Sequence, residues 1–232
     1  MKIVAFCLLA SLISSACTTA INTEITSNNS NQTVTEFPVE TALLNIYTKA
    51  RTDKLIQAND NQNTVLEIKV VPKGKMTFNN QQVQGAETTY TTKSDGTTDQ
   101  QLISVNYYTL DPVKFYGFTD NLGLYSVANQ AVSVPKMAAV GESSQFITEN
   151  VYNSSEQDTL VDSYTQTWSL SRASIDTAWF CITLLANPVT RDPHSKSSDC
   201  YLINAQGDLL SNKFIDTYLS DNGIEKISYN SQ

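Results

Sequence analysis

A chain of 232 residues with 15 Lys and Arg against 23 Asp and Glu carries a formal charge of −8, and its basic residues form no cluster. Phosphate binding needs concentrated positive charge, so nucleic acid is excluded as a partner, and an electrostatic grip on anionic lipid is excluded for the same reason. The length suits one sizeable β domain or, failing that, two small ones.

The chain begins with Lys2, an apolar run from Ile3 to Ile13, and the small residues Ser14, Ser15 and Ala16 before Cys17. A positive start, a short apolar core and small residues before a cut describe a removed signal peptide. The run is too short for a transmembrane helix, which needs about 20 apolar residues. Ending on Cys17, this stretch resembles the lipobox of bacterial lipoproteins, although Ser14 stands where that family usually has Leu. The resemblance implies that Cys17 is acylated and becomes the new N-terminus. Thr18, which is not Asp, implies outer-membrane sorting, at the periplasmic or surface face. The alternative is a soluble secreted protein, because Ser14-x-Ala16 also suits an ordinary signal peptidase. Loss of Lys2 with the leader takes the charge from −8 to −9, so membrane attachment is expected through N-terminal acyl chains.

Residues 18–37 are rich in Thr, Asn and Ser with no sustained apolar period. Such a composition buries too little surface to offset its ordering entropy and predicts a flexible tether, about 25 Å long on average. The predicted organisation is therefore a signal peptide at 1–16, the lipidated cysteine and tether at 17–37, and a domain at 38–232. That domain opens with Pro38, then Val39, Ala42, Leu43, Ile46, Tyr47 and Ala50, a 3/4 spacing that predicts one amphipathic helix reaching about Arg51.

From Val65 onward the pattern is short strands and turns. Val65–Val71 alternates up to Pro72-Lys73-Gly74, and Lys75–Phe78 reads as a separate short partner. Thr88–Thr92 and Leu102–Tyr108 flank Asp95-Gly96, a strong hairpin signal. Val113–Thr119 and Leu124–Ala128 flank Asp120-Asn121-Leu122-Gly123, and Gln145–Tyr152 and Thr159–Leu170 flank Asn153–Glu156. Val132–Lys136 is an edge segment or loop, because Pro135 cannot donate to a ladder. In Thr159–Leu170, Tyr164, Gln166, Trp168 and Leu170 share one face. Ala178–Leu185 is apolar on both faces and predicts the most central strand. Tyr201–Ile203 with Leu209-Leu210, and a weaker Ile224–Tyr229, complete the series.

One helix followed by sequential hairpins predicts a mainly β protein, an antiparallel meander forming an open or closed barrel-like sheet, with a β-sandwich as the alternative. Its order of elements also looks like the lipoprotein-carrier fold of Gram-negative periplasmic proteins, a curled sheet with a helical lid over an apolar cavity. That likeness is one of architecture.

Of four cysteines, Cys7 leaves with the leader and Cys17 is the lipidation candidate. Cys181 and Cys200 are then a pair in an exported chain, where oxidation is the natural outcome. Closing the loop between them is worth about 3 kcal/mol on the chain-entropy estimate. His194, the only histidine, lies in a polar run with Asp192 and Ser195, where side chains diverge and do not converge as a hydrolase requires. Asp95 and Asp99 lack the further ligands of a calcium loop, and Asp158 and Asp162 form either an acid/base pair on opposed strands or, as is far more common, solvated surface charges. Nine strand aromatics, among them Tyr107, Phe118, Trp168 and Trp179, fill a β core or line a cavity. No catalytic, metal or cofactor residue is predicted. The expected function is a non-enzymatic binding or interaction module held at a membrane, with a carrier or sensor of a hydrophobic ligand as the alternative and a hydrolase third.

Overall fold

A computed structural model describes residues 33–58, 60, 63–130, 132–187, 195–220 and 223–231. The leader, Cys7, Cys17 and His194 lie outside the described residues. Glu36–Phe37 (β1) leads into the helix Val39–Thr48 (α1) and then Arg51–Gln57 (β2), Val65–Phe78 (β3), Gln81–Ser94 (β4), Thr97–Leu110 (β5), Val113–Asp120 (β6) and Tyr125–Gln130 (β7). Ala138–Ala139 (β8), Ser143–Tyr152 (β9), Leu160–Arg172 (β10), Thr177–Ala186 (β11), Lys196–Asn204 (β12), Leu209–Ser220 (β13) and Gly223–Ser231 (β14) follow. Twelve of the strands form one closed antiparallel barrel in the order β10-β11-β12-β13-β14-β2-β3-β4-β5-β6-β7-β9, while β1 and β8 pair separately. The predicted meander is therefore a closed barrel and not a sandwich.

Closure rests on β14, whose Tyr229, Asn230 and Ser231 pair with Gln57, Ile56 and Leu55 of β2. Sequence periodicity assigned Arg51 to the end of the helix; instead α1 stops at Thr48 and Arg51 starts a strand. This strand hides from a hydrophobic pattern because two of its less exposed positions are Arg51 and Asp53, with Leu55 the only fully buried one. Likewise, Pro72-Lys73-Gly74 is no turn between two short strands. It is a register shift inside the long β3, one of the few places where a sheet tolerates proline.

That shift belongs to a hairpin whose tip, at Asn79 and Asn80 with φ of 47° and 59°, crosses the outside of the barrel. Phe78 stacks on Tyr107 at 4.2 Å and on Tyr125 at 5.1 Å, and the Tyr125 hydroxyl donates to Asn79 Oδ1. A second cluster of aromatics thus packs on the outer wall, independent of the lumen.

Eight strands make a barrel just wide enough for side chains to fill; twelve leave room to spare. One end of that room is taken by α1. Its Val39, Ala42, Leu43 and Ile46 are all but inaccessible and pack with Tyr108, Phe115, Phe146, Trp168, Phe180 and Ile203 from the surrounding strands. The segment from Val132 to Gly141, a loop apart from β8, covers the same end, with Val134 and Ala138 buried in that core. Polar contacts fix the helix in place. Asn45 Nδ2 donates to the Gly207 carbonyl at 2.9 Å, the Tyr108 hydroxyl donates to the Tyr47 carbonyl at 3.3 Å, and Lys49 pairs with Asp208 at 3.2 Å.

Residues 34–37, read with the tether, belong to the folded body. Phe37 is fully buried, the Val34 amide donates to the Ile175 carbonyl at 2.9 Å, and β1 pairs with β8. Two apolar residues in a polar stretch were too few to register as a strand.

The strand β11, expected at the centre of an open sheet, has no such position in a closed one. Its even residues Ile182 and Leu184 face the lumen, so alternation turns Trp179 and Cys181 outward. There Cys181 stands opposite Cys200 of β12 and is bridged to it. Lys213, paired with Cys200, reaches the Trp179 ring at 4.1 Å. Those contacts account for the outward Trp179 and Cys181, while the outward Leu185 is exposed.

Candidate ligand-binding cavity

Above the helix the barrel interior holds a half-open cavity of about 640 Å³, within the usual range for small-molecule sites. It extends from Ile46 and Tyr47 in the last turn of α1 to Leu122 in the β6–β7 turn and to Ala186 and Ser195, where β11 ends and β12 begins. The alternation of each strand decides what enters it. Inward positions of β10, Tyr164 and Gln166, were recognisable as one face from the sequence. Their continuation, Trp168 and Leu170, packs against the helix below.

The floor is a polar cluster. Arg51 donates through Nε to Asp53 Oδ2 at 2.8 Å, through Nη2 to the Tyr201 hydroxyl at 3.2 Å, and through Nη1 to the Ile46 carbonyl, which caps the end of α1. Across from it the Tyr90 hydroxyl donates to Asp199 Oδ2 at 3.2 Å. Burial pushes the Asp199 carboxyl up to about 6, against the opposing pull of Tyr90 and Arg51. The Tyr90 and Tyr201 phenols are pushed well above their ordinary range by burial and by the Asp199 charge. At neutral pH the floor therefore presents one fixed cation, Arg51, the Asp199 carboxylate held by Tyr90, and neutral phenols.

One wall is apolar and aromatic. Leu66 of β3, Tyr90 of β4, Phe214 of β13 and Ile227 and Tyr229 of β14 gather around Leu55 and Ile68. The wall on the far side of the barrel carries Glu149 of β9, whose register neighbour on β10 is Tyr164. Glu149 is 4 % exposed. Its Oε1 accepts from Gln166 Nε2 at 3.3 Å, whereas Oε2 is buried with no hydrogen-bond partner. Burial, only weakly offset by Gln166, pushes its carboxyl up to about 7. Beside it the Tyr164 ring stacks on Phe118, with centroids 6.0 Å apart and planes within 9°. Burial and the Asp162, Glu149 and Asp120 charges push the Tyr164 phenol up to about 12.

Glu149 and Asp199 both have raised values, the property expected of an acid/base pair. They are not a close dyad. They arise on strands separated by β10 and β11, and the raised value of each is caused chiefly by its own burial. What they share is Tyr47, pushed up by burial and then by both carboxyls.

The remaining sequence candidates fall elsewhere. Asp95 sits in the tight turn between β4 and β5 with φ of 48°, and Asp99 accepts from Ser94 Oγ at 2.6 Å, so a turn accounts for both. Asp158 lies exposed in the turn before β10, and Asp162, near the start of that strand, accepts from the Ser163 amide. Among the described residues no group of three or more His, Cys, Asp and Glu could hold a metal ion. The strand aromatics divide three ways: Phe118 lines the cavity, Tyr108, Phe115, Trp168 and Phe180 pack around α1, and Tyr107, Tyr116 and Tyr125 pack outside.

Sequence reading missed Glu149, Asp199 and Arg51. For Glu149 a signal was present: Ile147-x-Glu149-x-Val151 sets one charged residue on the apolar face of a strand, where a carboxylate is rarely found without a partner. Arg51 and Asp199 carried none, since neither interrupts an apolar stripe.

Fold and site together define a closed antiparallel β-barrel with a helix seated in one end and a mixed polar and apolar cavity in the rest. Comparison with known proteins finds no matching family model, no matching curated protein and no matching solved structure.

Proposed function

We propose that the chain is a non-enzymatic binding module, exported and held at the outer membrane by acyl chains on Cys17, that takes a small amphipathic molecule into the barrel. The observation that supports binding is the 640 Å³ cavity itself, with an aromatic wall facing a wall that bears a buried carboxyl. A site of this size with a few convergent polar groups is the usual form of a small-molecule pocket. A wholly hydrophobic ligand suits the lining less well, because it would leave the buried Glu149 Oε2 still without a hydrogen-bond partner. Support for the anchor is confined to the order of residues at 1–17 and the polar stretch that follows.

Both halves of the reading are testable. The neutral fluorophore N-phenyl-1-naphthylamine should bind the purified protein saturably at one equivalent, and Leu184→Trp, which fills the cavity from β11, should abolish that binding. Absence of saturable binding, or binding unaffected by the tryptophan, overturns the cavity as the site. Cells fed a radioactive fatty acid should label the wild type and not Cys17→Ser. An unlabelled wild type or a labelled variant overturns the anchor.

A further inference from the structure

We infer that the molecule taken into the barrel is an organic amine, a cation on an apolar or aromatic body, held through its ammonium group by Glu149 beside the Phe118–Tyr164 ring pair. This deepens the binding reading and rests on it.

Three independent observations point to a cation. First, the buried Oε2 of Glu149 has no partner. A desolvated acceptor left unmatched is costly, and an N–H donor of positive charge relieves that cost most fully. Gln166 supplies a single bond to Oε1, leaving the rest of the carboxylate's accepting capacity unused.

Second, the lining is acidic. Asp120, Glu149, Asp199 and Asp216 face the cavity against Arg51 as the one basic side chain among the described residues. Arg51 is also engaged already, by Asp53, Tyr201 and the Ile46 carbonyl. An anion entering this space would meet four acids and an occupied guanidinium, whereas an ammonium finds an unmatched carboxyl.

Third, the surroundings of Glu149 suit an organic cation better than a metal ion. Tyr164, adjacent in register, and Phe118 stack face to face, and aromatic faces attract ammonium groups. A hard metal ion asks for six or more oxygen ligands or several carboxylates at close range, and no such group is assembled here among the described residues. Half the circumference away, Phe214, Tyr229 and Leu66 offer the surface for the apolar body.

The test pairs two probes with one skeleton, 4-phenylbutylamine and 4-phenyl-1-butanol, titrated calorimetrically into the full-length protein at pH 7.5. The amine should bind at least tenfold more tightly than the alcohol. Glu149→Gln keeps the shape and the Gln166 contact while removing the charge; it should bring the two probes within twofold of each other. A circular-dichroism melt of the variant checks that it is folded, and Glu149→Ala provides the same comparison should glutamine find a new partner. If wild type binds both probes equally, or the preference for amine survives both substitutions, the amine inference is overturned while the cavity reading stands. If neither probe binds, both are overturned.

Discussion

Replacing Glu149 by glutamine should stabilise the protein increasingly as pH rises from about 4.5 to about 7, and fully above that. The carboxyl is moved from its ordinary value of 4.5 to about 7. In the unfolded chain the proton leaves near 4.5, whereas the folded protein keeps it until about 7, so between those values the folded state binds more protons. Stability therefore falls as pH rises through this window. Below it both states are protonated and the cost vanishes; above it the cost is complete, about 3 kcal/mol at about 1.4 kcal/mol per pH unit. Asp199 and Asp216 are also pushed up by burial, but they are present in both proteins and cancel from the difference. Tyr164 and Tyr47, which face Glu149, are raised phenols that stay neutral throughout. Urea unfolding of wild type and Glu149→Gln at pH 4.5, 6 and 8 should give curves that coincide at the lowest pH and separate by about 3 kcal/mol at the highest, a gap of about 6–12 °C in Tm for a domain of this size. A gap that does not change with pH, or a variant less stable than wild type at pH 8, refutes the argument.

Other substitutions test the packing. Breaking the Cys181–Cys200 bridge with Cys200→Ser should cost about 3 kcal/mol, since the bond closes 19 positions of chain; a denaturation midpoint unaffected by reductant would contradict this. Leu43→Ala, in the helix face that fills one barrel end, should cost about 2–5 kcal/mol by urea titration, and a cost under 1 kcal/mol would mean that α1 is not seated there. At Gly207, with φ of 80°, a Cβ would come within 3.0 Å of the Pro38 carbonyl oxygen. Gly207→Ala should therefore cost about 1–3 kcal/mol and loosen the N-terminus of the helix, read as faster amide exchange at Ala42.

Much of the barrel could be read from the chain because its hairpins are local. Asp95-Gly96 and Asp120–Gly123 each join strands adjacent in sequence, and turn chemistry marks them without reference to the rest of the fold. Closure could not be read so. The pairing of Tyr229 with Gln57 joins opposite ends of the domain, and no local preference encodes it. The cavity was hidden for a related reason. Whether Phe118 or Phe115 meets helix or empty space depends on how far α1 penetrates, which is set by contacts such as Asn45 to Gly207 across the barrel. Polar positions inside a lumen also look, in sequence, like the outer face of a strand, and Arg51 and Asp199 were indistinguishable from surface residues until the sheet closed around them.

Placing the helix in one end has a consequence for the carboxyl on the wall. A barrel of twelve strands filled throughout would have to satisfy Glu149 with protein groups; with α1 stopping at Thr48, Glu149 instead lines the cavity and its Oε2 has no protein partner. The same unmatched oxygen that lowers stability at neutral pH is the one an ammonium would pair with, so the destabilisation and the proposed affinity have a single origin. A bound amine would favour the ionised carboxylate and draw its value back down, releasing protons on binding near pH 6. Binding measured in buffers of different ionisation enthalpy should accordingly show proton release that is present in wild type at pH 6, nearly absent at pH 8.5, and missing from Glu149→Gln at both. Equal proton release in wild type and variant would place the titrating group elsewhere in the cavity, with Asp199 the next to examine.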